Sequence, residues 1–93
     1  MIRGFRDTLT QRVFERQRVP RLGPDLQRQA HRKLLILDAA GRLEDLRSPA
    51  GNRLERLRGD RVGQHSIRIN DQWRICFVWR SDGPYEVEIC DYH

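Results

Sequence analysis

The stretch from residue 59 to residue 79 constrains the fold most, because two alternating runs flank a short polar turn. In the first run, His65, Ile67 and Ile69 alternate with polar residues. In the second run, two sets alternate: Trp73, Ile75, Phe77 and Trp79 on one face, and Arg74, Cys76, Val78 and Arg80 on the other. Alternation of β-branched and aromatic residues predicts strands, and the Asn-Asp pair between the runs is typical of a hairpin turn. The sequence therefore predicts a β-hairpin.

The rest of the chain predicts two helices and further strands around this hairpin. We expect an edge strand at Met1–Phe5, a helix capped by Asp7 and a second helix that starts at Pro24. The last strand alternates Tyr85, Val87 and Ile89 with Glu86, Glu88 and Cys90. Leu43–Arg47 is expected to add one helical turn, whereas 54–57 is compatible with either strand or coil. With 93 residues, the chain predicts a single α+β domain over 1–93, in which two N-terminal helices cover a small antiparallel sheet.

Positive charge is concentrated in the first part of the chain. Residues 1–37 contain nine Arg and Lys residues against three Asp and Glu residues, a net charge of +6, whereas the whole chain carries +5. This distribution favours an anionic partner such as nucleic acid or an acidic protein.

Two cysteines, Cys76 and Cys90, both fall in predicted strands, so we expect reduced, partly buried core residues. The three histidines lack zinc-site spacing, and no apolar run approaches membrane-spanning length. We therefore expect a cytoplasmic protein without a cofactor, a metal or membrane contact.

The chain ends on three consecutive titratable residues, Asp91, Tyr92 and His93. Metal-free RNA cleavage needs a base for the 2′-hydroxyl, an acid for the leaving oxygen and cations for the phosphorane. This terminus could supply the proton transfers, while Arg58, Arg68 and Arg74 could supply the charge. The alternative is a solvated polar tail.

Arg68 and Arg74 fall on the polar register of adjacent predicted strands and can therefore lie close together. Either they bind phosphate, or they pair with Glu86 or Glu88 of the last strand. His65 shares the apolar register and is expected to be a partly buried histidine with its hydrogen bonds satisfied.

Several motifs resemble the HigB toxins of the RelE/ParE superfamily, from bacterial type II toxin–antitoxin systems. They are Ser48-Pro49-x-Gly51-Asn52-Arg53-Leu54-Glu55, the run from Gly63 to Ile75, and the terminal Asp91-Tyr92-His93. The first motif and the hairpin are most similar to the GraT branch. The resemblance spans essentially the whole chain.

The resemblance implies a RelE-like fold and a ribosome-dependent mRNA endonuclease. It implies neutralisation by a HigA-type antitoxin with a helix-turn-helix domain, which alone contacts operator DNA. The family's catalytic positions match Asp91, Tyr92, His93 and Arg74. Its basic residue before a Gly-Asp pair matches Arg58, and Arg68 joins the expected RNA-binding residues.

One position departs from the family pattern, because Glu55 stands where many HigB toxins have histidine. A negative charge near the RNA path predicts weaker cleavage. Two other functions remain open from the sequence: a ParE-like inhibitor of DNA gyrase, or a non-catalytic module that binds RNA or protein.

Overall fold

The computed structural model describes residues 1–91 and contains two helices followed by a four-stranded sheet. The helices are α1 (Thr8–Phe14) and α2 (Pro24–Ala39), and the strands are β1 (Glu55–Arg56), β2 (His65–Arg68), β3 (Trp73–Arg80) and β4 (Gly83–Asp91). Short 3₁₀ turns cover Pro20–Leu22, Leu43–Arg47, Ala50–Asn52 and Gly59–Arg61. The strands lie in the order β1-β2-β3-β4, and every neighbouring pair is antiparallel. The predicted α+β class, the hairpin and the C-terminal meander are confirmed.

Both helices begin where the sequence predicted. The Asp7 side chain accepts a hydrogen bond from the Thr10 backbone N–H at 2.8 Å, which satisfies one of the unpaired donors at the start of α1. Pro24 opens α2, where its missing N–H costs nothing. The buried side of α2 carries Ala30, Leu34 and Leu37, whose spacing puts them on one face of the helix.

The main core lies between the helices and one face of the sheet, which we call the inner face. Helix residues such as Val13 and Leu34 pack there against strand residues such as Ile67 and Phe77, all completely buried. Burial of these apolar side chains holds the helices to the sheet and leaves the opposite, outer face to carry polar groups.

The N-terminal segment does not form the predicted edge strand. It runs beside β4 through one isolated parallel bridge, Phe5 to Val87, and hydrogen bonds such as Arg3 N–H to the Pro84 carbonyl at 2.8 Å. The fourth strand is instead β1. The approach is close at Gly83, where an added Cβ would lie 2.6 Å from the Met1 carbonyl oxygen.

A β-bulge in β4 explains why the N-terminal segment pairs with β4 only through an isolated bridge. It also explains why the prediction that Tyr85 shares a face with Val87 and Ile89 is wrong. Two residues, Glu86 and Val87, stand opposite one residue of β3, and Glu86 has a φ of 51°. The extra residue shifts the alternation of side chains along β4 by one position. Tyr85 therefore pairs with Val78 on the outer face, whereas Val87 lies on the inner face. The Tyr85 hydroxyl donates to the Asp82 carboxylate at 2.7 Å instead of entering the core.

Candidate functional site

The outer face of the sheet gathers polar and charged residues from all four strands. Strand pairing sets Arg68 beside Arg74 and Arg74 beside Cys90 in one row. The next row contains Glu55, Ser66, Cys76 and Glu88. Three of the residues predicted to act on RNA, Glu55, Arg68 and Arg74, therefore share this face.

Arg74 is a buried side chain of the outer face, with only 7% of its surface exposed. Its Nε donates to the Ser66 hydroxyl at 2.7 Å, and its Nη2 donates to the Arg53 carbonyl at 2.6 Å. The Nη2 also reaches the Ser66 carbonyl at 3.5 Å. These bonds fix the guanidinium plane, and a fixed guanidinium can recognise phosphate oxygens with defined geometry.

Within residues 1–91, the ion pairs of Glu86 and Glu88 are formed with other arginines than Arg68 and Arg74. The Arg68 guanidinium forms an ion pair with the exposed Asp71 carboxylate in the hairpin turn. Glu88 binds Arg6 at 2.9 Å and Arg61 at 3.0 Å. The predicted proximity of Arg68 and Arg74 is confirmed. Of the two alternatives left open by the sequence, the ion pairs of residues 1–91 do not support pairing with these glutamates.

A further cation, Lys33, approaches the Arg68 end of the sheet from α2. Its ammonium donates to the Asn52 side-chain oxygen at 2.6 Å. Burial lowers the pKa of Lys33, and the charges of Arg68 and Arg32 lower it further. Asn52 is completely buried and donates to the carbonyls of Leu46 and Ser48, each at 3.2 Å. This network fixes the loop that carries the Arg53 carbonyl to Arg74.

The two cysteines belong to these rows of the outer face and are free, buried thiols, as predicted. The Cys90 thiol donates to the Glu88 carboxylate at 3.0 Å. The hydrogen bond between the two thiols lowers the pKa of Cys76 and raises that of Cys90, and burial raises the Cys90 pKa further. With Leu57 they form a small cluster of buried apolar residues that is separate from the main core.

Asp91 is exposed at the end of β4, opposite Trp73, and its carboxylate accepts from the Gln72 amide at 3.1 Å. Because neighbouring residues of a strand alternate between faces, Asp91 belongs to the Trp73 register, whereas Cys90 is the residue beside Arg74. The other two predicted catalytic residues, Tyr92 and His93, lie outside the described residues.

Glu55 and Arg58 are both exposed near the edge of the sheet. Glu55 stands directly opposite Ser66, the hydrogen-bond partner of Arg74. Arg58 precedes the Gly59–Arg61 turn, and its side chain does not cap that turn. Both predicted RNA-binding residues are accessible from solvent.

His65 is partly buried, as predicted, but its hydrogen bonds are not satisfied. Among residues 1–91, His65 Nδ1 is the one buried side-chain nitrogen or oxygen without a hydrogen-bond partner. Burial lowers the pKa of His65, and the charge of Arg56 lowers it further. The ring is therefore neutral at physiological pH.

Sequence reasoning missed Ser66 and the pair Lys33–Asn52. In the sequence, Ser66 is one of several polar residues in an alternating strand. Its hydrogen bond to Arg74 becomes apparent only once the pairing of β2 with β3 is known. Asn52 stood inside a recognised motif, but nothing in its spacing indicated a buried contact with α2, nineteen positions away.

Residues 1–91 contain no group of three or more His, Cys, Asp and Glu side chains arranged to hold a metal ion. Over the same range, no helix is both long enough and apolar enough to span a bilayer.

Two comparisons with known proteins relate the chain to one family of toxins. The profile of the HigB-like toxin family, described as the RelE-like toxin HigB of type II toxin–antitoxin systems, matches residues 3–93. The chain is also 43% identical to toxin HigB-1 of Vibrio cholerae serotype O1 over 76 residues, which cover 81% of this chain and 80% of that protein.

Proposed function

This chain belongs to the HigB-like family of RelE-like toxins, and from that premise we propose that it is a ribosome-dependent endoribonuclease that cuts mRNA. As the toxin of a type II system it has an antitoxin partner.

The fixed guanidinium of Arg74 is the observation that carries the proposal. Cleavage by the neighbouring 2′-hydroxyl passes through a phosphorane with more negative charge on its oxygens than the starting phosphodiester. A buried arginine whose Nε is held at 2.7 Å by Ser66 is oriented before the substrate arrives. Preorganised charge of this kind lowers a barrier because little reorganisation accompanies the reaction. Arg68, directly opposite on β2, adds a second positive charge.

The proton transfers are assigned to the end of the chain. We infer that His93 or Asp91 takes the proton of the 2′-hydroxyl and that Tyr92 positions or protonates the leaving 5′ oxygen. Histidine suits this work because its pKa lies near neutral pH. These side chains, together with the arginines, supply base, acid and charge, so the proposed reaction uses no cofactor or metal. Arg58 and Glu55, exposed beside the same face, are assigned to the RNA path.

The ribosome supplies the alignment of the reacting RNA atoms, which the side chains of this protein do not provide. In-line attack requires the 2′ oxygen, the phosphorus and the 5′ oxygen to be aligned, and flexible RNA seldom adopts this geometry. An mRNA bent in the decoding site would present it. The N-terminal part of the chain, with its charge of +6, is suited to contacts with ribosomal phosphates that do not depend on sequence.

The proposed cellular compartment follows from this reaction. Since ribosomes and their mRNA are its target, we place the protein in the cytoplasm. We propose that the antitoxin is of the HigA type, with a helix-turn-helix domain, and that the toxin reaches operator DNA only through it.

Two assays on the same purified protein test the proposal. In a translation extract, the wild type should cut a reporter mRNA, while DNA gyrase should supercoil normally in its presence. Removing Tyr92 and His93 should abolish the cuts. Inhibition of gyrase without RNA cleavage would transfer the assignment to a ParE-like activity, and unchanged toxicity of the truncated chain would favour a non-catalytic binding module.

A further inference from the structure

The Arg53 backbone adopts a conformation that is uncommon for a residue with a side chain. Its φ of 44° and ψ of 58° lie in the left-handed region, which glycine enters freely and other residues enter at a cost in energy. The Arg53 side chain is exposed, so what this conformation places inside the protein is the backbone carbonyl. Backbone strain of this kind is concentrated at functional sites, where it holds a group in a required position.

The left-handed turn at Arg53 directs its carbonyl oxygen at the guanidinium of Arg74. The Arg74 Nη2 donates to this oxygen at 2.6 Å, and the Arg74 Nε donates to the Ser66 hydroxyl at 2.7 Å. Two acceptors on different nitrogens fix the orientation of the planar guanidinium, whereas a single acceptor would leave the group able to turn about that bond. The Arg53 carbonyl therefore helps to set the direction in which the other N–H donors of Arg74 point.

A completely buried asparagine, Asn52, holds the turn that delivers this carbonyl. Its side-chain amide donates to the carbonyls of Leu46 and Ser48, each at 3.2 Å. The Lys33 ammonium donates to the amide oxygen of Asn52 at 2.6 Å, so both ends of the amide are bound. Lys33 lies on α2, whose apolar side packs into the main core. A continuous set of contacts therefore joins helix α2 to the fixed guanidinium on the outer face.

We propose that Lys33 and Asn52 are positioning residues for the cleavage reaction, and that they act through the Arg53 carbonyl on the orientation of Arg74. The inference rests on the proposed endoribonuclease function. A catalytic group that is displaced by about 1 Å can lose about a hundredfold in rate, so the support of Arg74 matters as much as its charge. Loss of this orientation lowers kcat and leaves KM nearly unchanged, because the interaction with the phosphorane forms in the transition state.

Two substitutions at position 53 separate the backbone from the side chain. Arg53→Gly and Arg53→Val both remove the guanidinium of this residue, so any direct contact of that side chain with RNA is lost equally. Glycine adopts the left-handed conformation freely, whereas β-branched valine strongly disfavours it. Arg53→Val should therefore cut ribosome-bound mRNA with a kcat about tenfold lower than that of Arg53→Gly, at a similar KM. Equal kcat values for the two folded variants would overturn the proposal.

Lys33→Met tests the same chain of contacts from its other end, and it serves if Arg53→Val does not fold. Methionine keeps an unbranched side chain but has no donor for the Asn52 oxygen. Arg32→Met is the matched control, because it removes an equal charge from the neighbouring, exposed position of α2. The kcat of Lys33→Met should be at least about threefold below that of Arg32→Met. Circular dichroism would confirm that each variant folds, and equal kcat values would overturn the role of Lys33.

The orientation of Arg74 is also measurable without cleavage. In ¹⁵N NMR spectra of arginine-labelled protein, a guanidinium held by hydrogen bonds gives separate Nη1 and Nη2 signals, whereas a freely turning guanidinium gives one averaged signal. The variant Arg74→Lys identifies the signals of Arg74 by their loss. Separate signals should persist in Arg53→Gly and Arg32→Met, and they should merge in Arg53→Val and Lys33→Met. Separate Arg74 signals in all four variants would overturn the proposal.

The spectra and the rates together distinguish failure of this inference from failure of the proposed function. If the Arg74 signals merge as expected while kcat is the same in every variant, the positioning role is wrong and the endoribonuclease function stands. If the wild-type protein cuts no ribosome-bound mRNA, the proposed function is wrong and the role in cleavage falls with it, whatever the spectra show. Merged signals that accompany a lower kcat at unchanged KM would support both.

Discussion

Replacing Arg74 with alanine should affect both cleavage and stability, and the structure indicates the size of each effect. Loss of a preorganised charge that faces the phosphorane costs about 3–4 kcal/mol in the transition state, which corresponds to roughly a hundredfold to thousandfold in turnover. The same change leaves the buried Ser66 hydroxyl and the Arg53 carbonyl without their donor. At about 1–2 kcal/mol for each unsatisfied acceptor, unfolding should become easier by roughly 2–4 kcal/mol.

Three variants separate these two effects. Arg74→Lys keeps the charge but loses the fork of donors, so it should retain more activity than Arg74→Ala. Ser66→Ala removes only the 2.7 Å partner of Nε, so it should lower stability by about 1 kcal/mol and turnover by less than tenfold. Urea unfolding gives the stability, and the cleavage rate at a known concentration of folded protein gives the activity. Cleavage by folded Arg74→Ala at more than a tenth of the wild-type rate would refute the role of Arg74.

Three further predictions concern stability, charge and pH. Asn52→Ala should lower the unfolding free energy by about 2–4 kcal/mol in urea titrations, because two loop carbonyls and the Lys33 ammonium lose their buried partner. Glu55→His should speed cleavage of ribosome-bound mRNA by removing negative charge beside the RNA path, and an unchanged rate would remove the explanation for a weak toxin. The lowered pKa of His65 means that the unfolded chain binds a proton more readily. The contribution of neutral His65 to the stability of the folded state is therefore complete above about pH 6.5, and it decreases as the pH falls below that value. Unfolding measured from about pH 5 to 7.5 should show a smaller loss for His65→Gln than for the wild type.

Sequence patterns predicted the elements whose signals are local. The hairpin followed from alternation in β2 and β3, and the starts of both helices followed from Asp7 and Pro24, because a cap or an alternating run acts within a few residues. The strand predicted at Met1–Phe5 was wrong because its partner, β4, contains a bulge that no local pattern reveals. The same bulge moved Tyr85 to the other face.

The sequence predicted which charged residues belong to the candidate site. It did not predict the hydrogen-bond partners that hold Arg74 in place. Arg68 and Arg74 were placed together by strand register, which requires only the correct hairpin. The bonds that hold Arg74 come from Ser66 and the carbonyl of Arg53, eight and twenty-one residues away. Such contacts depend on the packing of a loop fixed by Asn52, which becomes visible only in three dimensions. Asp91 was grouped with Arg74, although strand alternation assigns it to the Trp73 register.

The most direct test of the central claim compares two ribosome complexes on one mRNA. In one complex the decoding site is empty, and in the other it is filled by a cognate tRNA. Primer extension after addition of the wild-type protein should show cuts at the codon of the empty site, with few in the filled complex and few on free mRNA. Equal cutting of all three, or no cutting of any, would contradict a nuclease that relies on the ribosome to orient its substrate.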